Sequence, residues 1–570
     1  MMKIGTVASK GIAVGKVITL DRPVLNIPKE KSPDATEEKN QFQEAIERSV
    51  ENLNAIKAKM ADHFDEEHMA IMDAHLQMLQ DPEIKSQTHA MIDEGHNVAH
   101  AYETVTNNFV VMFEAMEDEY FKARAADIKD IQYRVLAHLV GTPLKDATLL
   151  EEDTLVAAHD LTPSDTATLD YRYVKGFITE VGGVTSHTAI MARALGIPAL
   201  VGAKGVLEKL ASDTVYVLDA LEGQLIENPS SDTLKEYQVK AQALEAEKVR
   251  LQKYKNEPTK TADGHALPLF ANIGSPDDLT LVEPHGAEGI GLYRTEFLFM
   301  NEKTMPSLET QVAAYKKVFE AYDTVIVRTL DIGGDKNLPY LKQAKEDNPF
   351  LGLRALRLTL KEVDLFKTQL KALLLGGVNS PHIHIMFPMV ALESELDAAI
   401  AVLEDVKKEL DDAQEAYQKN VKIGIMIEIP AAALNAERLA QKVDFFSIGS
   451  NDLIQYTYAA DRMNEAVGYL YQPYDPTLLR LIKHVIDHAH KHDVEVGVCG
   501  EMGGDLNLAL VLAGLGIDEL SMQPSSILPI REALASFNLE DLKALSENVC
   551  ACHNSEEVKK VIEKALAALN

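Results

Sequence analysis

The spacing of apolar residues changes three times along this chain. Residues 1–20 read as short strands, Val/Ile/Ala runs punctuated by Gly5, Gly11 and Gly15. From about 33 to 140 the spacing turns helical. In FQEAIERSVENLNAIKAKM, residues Phe42, Ile46, Val50, Leu53 and Ile56 fall on one stripe. A second helix is predicted over Glu66–Leu79 and stopped by Asp81-Pro82, and Gly141-Thr142-Pro143 breaks the helical region. From Leu149 to Asn228 short β-type runs return in TLVAAHD, YVKGFITE, IPALVG and DTVYVLDA. These are expected to join residues 1–20 in one domain, with the helices as an insertion. Residues 231–257 are polar nearly all round, the pattern of a solvent-bridging linker helix.

After 260 the pattern repeats. LPLFANIG, GIGLYRTEF, TVIVRTLDIGG, HIHIMFPMV, VKIGIMIEIP, DFFSIGSND, VEVGVCGEM and ELSMQP are apolar runs with polar or glycine residues at their C-terminal ends, most of them separated by helical segments. Such strands are buried on both faces of a parallel sheet, and about eight of them close a (β/α)8 barrel. Chemistry in that architecture sits at the C-terminal strand ends. There the sequence has Asn272, Arg294, Glu296, Arg328, Asp331, Glu428, Asn451, Asp452, Cys499 and Glu501.

Composition narrows the partners. A net charge of −32 argues against nucleic acid, whose phosphates need a basic surface. Only Cys499, Cys550 and Cys552 are present, which fits a reducing compartment; the last two have no histidine or further cysteine pair at zinc-ligand spacing. The first residues lack the features of a signal peptide, and no apolar run is long enough to span a bilayer. A cytosolic protein is expected.

The strand-end residues suggest anion chemistry. Arg294, Arg328 and Arg354 offer guanidinium forks suited to phosphate and carboxylate. Glu428 and Asp452 supply hard oxygen ligands for Mg2+, or else serve as helix caps and ion-pair partners. The sharpest local signal is GGVTSHTAIMARALGIPALVG, residues 182–202. A Gly-Gly turn follows a strand, and Thr185 or Ser186 caps a helix that runs to Gly196. His187 then lies in the first turn, beside free backbone amides. It either caps or packs there, or carries a phosphoryl group whose charge the amides and helix dipole stabilise.

Together these motifs resemble Enzyme I of the bacterial sugar phosphotransferase system. The resemblance covers essentially the whole chain: ASKGIAVGKV, LTPSDTATL, GGVTSHTAIMAR, GIGLYRTEFLFM, RTLDIGGDK, NPFLGLRALR, DFFSIGSNDLIQYTYAADR and GVCGEMGGD occur in order. It implies a multidomain α/β fold. Residues 1–20 with 145–228 form a swivelling phosphohistidine domain, 21–144 an inserted helical carrier-binding domain, 229–260 a linker helix, and 261–570 a phosphoenolpyruvate-binding (β/α)8 barrel that also dimerises. The implied reaction transfers phosphate from phosphoenolpyruvate to His187, releasing pyruvate, and then to the small histidine phosphocarrier protein, HPr. By the same resemblance Arg294, Arg328, Arg354 and Arg462 grip the substrate, Asn451 lies beside its phosphate, Glu428 and Asp452 hold Mg2+, and Cys499 protonates enolpyruvate. Thr166 and Thr185 support the phosphohistidine, while Glu66, Glu67, His75 and Arg124 match the carrier-docking motifs. Two departures stand out: Val184 replaces a basic residue usual beside the phosphohistidine, and Leu353 replaces the aromatic usual before Arg354. Pyruvate phosphate dikinases share the swivelling and barrel domains, but they need a nucleotide-binding domain for which this chain has neither the length nor a Gly-rich lysine loop.

Overall fold

The computed structural model describes all residues except 1, 21–24, 33, 61–74, 115–118, 143–149, 151, 162–168, 184–185, 212–213, 301–303, 334–337, 339, 342–345, 463 and 568–570. The chain divides into two compact units, residues 1–246 and 247–570.

Among the described residues of the first unit eight strands make one sheet: β1 (Met2–Lys3), β2 (Thr6–Ser9), β3 (Ile12–Leu20), β4 (Thr154–Ala158), β5 (Val174–Thr179), β6 (Ala199–Val201), β7 (Val215–Asp219) and β8 (Gln224–Glu227). Their order is β1-β8-β7-β3-β4-β5-β6-β2. The parallel pairing of β3 with β4, from Lys16↔Thr154 to Leu20↔Ala158, joins the N-terminal strands to those that follow the helices. Strand β4 shows why its run is continuously apolar. Leu155 and Ala157 enter one core with Ile178, Leu200 and Leu218. Val156 and Ala158 enter the other with Phe177, Ala199 and Val201, so neither face sees water.

Between β3 and β4 lie α1 (Ala35–Met60), α2 (Pro82–Asp93), α3 (Val98–Glu114) and α4 (Glu119–Leu139). The stripe read from the sequence is their seam: Phe42, Ile46 and Leu53 are buried with Ile92, Tyr102, Ile131 and Val135. Asp81-Pro82 stops one helix and starts the next. The Asp81 carboxylate accepts from the amides of Glu83 (2.8 Å) and Ile84 (3.1 Å), and Pro82 takes the first helical position. Of the helix predicted over 66–79, residues 75–79 are helical and the rest lies outside the described residues. Helix α5 (His187–Leu195) packs Ala189 and Ala192 onto the sheet, and α6 (Ser231–Gln252) carries the chain across the division. Helix α6 stops before residue 257, where the sequence pattern extended it. Pro258 follows, and the carbonyls of Tyr254 and Lys255 turn to the buried Arg531 guanidinium (2.8 and 3.1 Å).

The second unit is a closed parallel barrel of β9 (Leu269–Ile273), β10 (Ile290–Arg294), β11 (Thr324–Arg328), β12 (His382–Phe387), β13 (Val421–Ile427), β14 (Phe445–Ile448), β15 (Glu495–Val498) and β16 (Glu519–Met522). All eight match the predicted runs. Outward residues such as Val325, Ile385, Ile425, Val496 and Leu520 pack under the helical ring. Leu292, Ile326, Met386, Met426, Phe445 and Cys499 fill the barrel itself. Among the described residues no helix is long and apolar enough to cross a membrane.

Candidate active site

The C-terminal ends of the barrel strands close around a cavity of about 500 Å³. Asn272, Arg294, Arg328, Asp331, Arg354, Asn451, Asp452, Arg462, Cys499 and Glu501 all line it, so ten side chains named from the sequence meet in one place. Burying several arginines together requires carboxylates. Arg328, ending β11, pairs with the fully buried Glu296 and with Asp331 (3.1 Å). Arg354 is held on three sides: Asp331 accepts from Nε and Nη2 (3.1 and 3.2 Å), Asp452 Oδ1 from Nη1 (3.1 Å), and the Tyr456 hydroxyl from Nη1 (3.2 Å). Burial works against both charges, but the facing carboxylates outweigh it and raise both guanidinium pKa values. These two arginines are therefore fixed cations with preset orientations.

Arg294 is different. Burial holds its guanidinium below the ordinary range, although Glu296 opposes the shift, and its buried Nε has no hydrogen-bond partner among the described residues. The guanidinium lies over the Phe297 ring at 5.3 Å. A buried cation with an idle donor at the rim of a cavity is suited to an incoming anion. Arg462, half-buried, sits 3.9 Å from Asp452 Oδ2. Asn451 is oriented by Glu501, whose amide donates to its Oδ1 (3.1 Å) and whose carboxylate accepts from its Nδ2 (3.2 Å).

Glu428 follows β13 and lies behind this wall, fully buried. Its Oε1 accepts from the Met389 amide (2.6 Å), while Oε2 has no partner among the described residues. Burial, with Asp452 and Asp331 adding to it, pushes its carboxyl up to about 8. A buried carboxylate oxygen without a donor, with a second carboxylate close enough to perturb it, is a donor set that fits a hard divalent cation. Among the described residues no cluster of three or more His, Cys, Asp or Glu side chains encloses a metal by itself, so the remaining ligands of such an ion would be waters or substrate oxygens. Backbone strain accompanies these groups. Ala355, next to Arg354, has φ 53°, and Met389, whose amide meets Glu428, has φ 58°.

Cys499 follows β15 and is buried. Its thiol is pushed up to about 12 by burial, with the Ser447 hydroxyl and Arg328 pulling the other way. It is a thiol, not a thiolate, at neutral pH. Asn272 Nδ2 donates to the Cys499 carbonyl (3.0 Å) and fixes its backbone.

Several groups that shape the cavity were given no role in the sequence reading. Asp331 and Glu296 appear in the sequence as strand-end carboxylates, but their pairing with arginines depends on strand register. Tyr456 carries no sequence signal, because it reaches Arg354 only through the packing of its helix (Ser450–Thr457). Leu353, the departure noted above, is half-buried and its amide donates to Glu346 (3.0 Å).

In the first unit, α5 is capped as its sequence predicts. The Ser186 hydroxyl accepts from the Ala189 amide (3.4 Å), His187 opens the helix, and Gly196 closes it at φ 66°. Thr166, Val184 and Thr185 lie outside the described residues, as do Glu66 and Glu67. Arg124 belongs to α4. His75 corrects the docking assignment. It is completely buried, with Nε2 3.2 Å from Asp127 Oδ1 and Nδ1 3.8 Å from Asp130 Oδ2. An imidazole with no exposed surface cannot present an atom to a partner, so it supports its helices from beneath.

Comparison with known proteins agrees in sequence order. The N-terminal domain of phosphoenolpyruvate-utilising enzymes matches residues 4–124, their mobile domain 150–223, and their phosphoenolpyruvate-binding domain 248–539. The chain is 47% identical to the phosphoenolpyruvate-protein phosphotransferase of Bacillus sp. (strain S), covering 99% of this chain and 98% of that one. It is 47% identical to that of Geobacillus stearothermophilus over the same shares, and 45% identical to that of Bacillus subtilis (strain 168), covering 98% and 99%. With identity at this level over the whole length, and an arginine-lined cavity in the barrel, this chain belongs to the phosphoenolpyruvate-protein phosphotransferase family and is an enzyme of phosphoenolpyruvate-dependent phosphotransfer.

Proposed function

We propose that this enzyme moves the phosphoryl group of phosphoenolpyruvate onto His187, releases pyruvate, and then passes the group to a histidine of HPr, the first step of sugar uptake by a phosphotransferase system. The observation that carries this reading is the convergence of Arg294, Arg328, Arg354, Asp452 and Cys499 on one cavity. The substrate is a small anion with phosphate at one end and carboxylate at the other. Arg328 and Arg354 are preset cations, and Arg294 has an idle buried donor; together they suit those two ends. Arg462 also lines the cavity, and Asn451, fixed by Glu501, offers its amide to a phosphate oxygen. Glu428 and Asp452 would hold Mg2+, which when bound neutralises the phosphate and stabilises the charge that develops on transfer.

His187 is the acceptor. It opens α5, and a phosphoryl group carried at a helix N-terminus is stabilised by the backbone amides and the helix dipole. Thr166 and Thr185 are assigned to hold that group, with Val184 adding no charge. Cys499, held as a thiol by its apolar surroundings, gives its proton to C3 of enolpyruvate and makes pyruvate. In domain terms, residues 1–20 with 145–228 carry the phosphohistidine, and 21–144 receive the carrier through Glu66, Glu67 and Arg124, with His75 in support. Residues 229–260 connect them to the barrel, 261–570. The exposed Leu392, Leu434 and Tyr469 all follow C-terminal strand ends and favour a homodimer formed by the barrel. The small number of cysteines favours the cytoplasm.

The test uses radiolabelled phosphoenolpyruvate, Mg2+ and HPr. Native protein should label HPr, and His187→Ala should label neither itself nor HPr. Label retained on native protein when HPr is added would refute the carrier assignment.

A further inference from the structure

Glu428, the carboxylate behind the wall of the cavity, is confined from two sides. On one side the Met389 amide donates to Oε1 at 2.6 Å. Met389 reaches it from a left-handed backbone, φ 58°, which is strained for a residue with a side chain. On the other side stands Gly449. Strands β13 and β14 run in parallel register, Met426 with Ser447 and Ile427 with Ile448. The Gly449 amide continues that ladder to the Ile427 carbonyl at 3.2 Å, which sets Gly449 beside Glu428.

The backbone at this position does not call for glycine. Its angles, φ −80° and ψ 76°, are those of an inverse γ-turn, a minimum open to every residue. What the missing side chain provides is room. A Cβ there would stand 2.9 Å from Glu428 Oε2, 3.0 Å from Glu428 Cβ and 2.8 Å from Met426 Cε, all closer than packed atoms come. Oε2 is the carboxylate oxygen that has no hydrogen-bond partner among the described residues. Gly449 lines the cavity, as does Asp452. It also opens the helix Ser450–Thr457 that carries Asp452, its carbonyl accepting from the Leu453 amide at 2.9 Å. Gly449 therefore stands against one carboxylate and starts the helix that places the other.

We propose that Gly449 is a positioning residue for divalent-cation binding: the room left by its missing side chain lets the free oxygen of Glu428 stand where it can meet an ion shared with Asp452. The inference rests on the reading of Glu428 and Asp452 as ligands. Because the Met389 amide fixes Oε1, the carboxylate cannot turn away from an added methyl without losing that bond. A methyl at 449 therefore either displaces Oε2 or breaks the hydrogen bond at Oε1. Disturbing the groups that orient a ligating carboxylate lowers metal affinity about 10- to 100-fold.

The test is equilibrium dialysis of the full-length protein against Mn2+, which takes the same oxygen ligands as Mg2+, with phosphoenolpyruvate on both sides and no HPr. Gly449→Ala should weaken Mn2+ binding about tenfold or more, while its urea midpoint stays close to native. The methyl would also meet Met426, whose sulfur accepts from Arg328 Nη1 at 3.8 Å, so the comparison is repeated in Met426→Ala. There the added methyl meets Glu428 alone, and Gly449→Ala should cost about as much Mn2+ affinity as before. Should Gly449→Ala not fold by itself, the Met426→Ala pair, with that contact relieved, decides the question. Unchanged Mn2+ affinity in Gly449→Ala overturns the proposal, and so does a loss that disappears in Met426→Ala. If native protein binds no Mn2+, or Glu428→Gln binds it as tightly as native, the reading of the ligands fails instead, and that result is distinct from the first two.

Discussion

Glu519→Gln should stabilise the barrel, and the gain should grow with pH. Glu519, the first residue of β16, is buried, and its carboxyl titrates at about 8 against an ordinary 4.5, a displacement that corresponds to roughly 5 kcal/mol. The folded state keeps its proton where the unfolded chain has released it. Below pH 4.5 the group therefore costs nothing, between 4.5 and 8 unfolding becomes easier by up to about 1.4 kcal/mol per pH unit, and above 8 the full cost is present. Glutamine has no proton to release and can still accept from Ser521 Oγ, as Glu519 Oε1 does. Urea melts of native and variant protein, followed by circular dichroism at pH 5.5, 7 and 8.5, should show the variant gaining about 3 kcal/mol on native across that range. A difference that stays constant with pH would mean that Glu519 titrates like an exposed carboxylate, and the argument from burial would be wrong.

Arg354→Lys should lower kcat/KM for phosphoenolpyruvate about a hundredfold while leaving the fold intact, since lysine cannot hold Asp331 with two donors and still reach Asp452; steady-state pyruvate release measures it. Asp331→Asn removes the carboxylate shared by Arg328 and Arg354 and should cost about 3–5 kcal/mol in a urea melt at neutral pH. Arg531→Met should cost a similar amount, because it leaves the carbonyls of Tyr254, Lys255 and Gly286 unpaired; hydrogen exchange should show faster opening of residues 254–259. Ser186→Ala should weaken the start of α5 by about 1 kcal/mol, read as faster amide exchange at Ala189.

What the sequence disclosed depended on range. The eight barrel strands were legible because each is apolar on both faces and ends in polar residues, a pattern that needs no partner strand to be recognised. The cap of α5 and the Asp81-Pro82 start of α2 were legible because capping is decided within three residues. Asp331 illustrates the opposite case. Its place between Arg328 and Arg354 depends on the register of β11 and on the strained turn at Ala355. Glu519 carries no sequence signal of its own. Its confinement appears only when Gly291 and Gly497, from two other strands, are brought beside it. His75 was misjudged because motif position says nothing about depth, and its burial follows from the packing of separate helices around it.

The central claim is that His187 carries the phosphoryl group. Its most direct test is to incubate the full-length protein with phosphoenolpyruvate and Mg2+ but no nucleotide, digest under alkaline conditions, and locate the added phosphate by mass spectrometry. The account predicts one phosphate per chain, stable to alkali and labile to acid, on the peptide containing His187, and none in His187→Ala. Phosphate on any other residue, or undiminished labelling of His187→Ala, would contradict it.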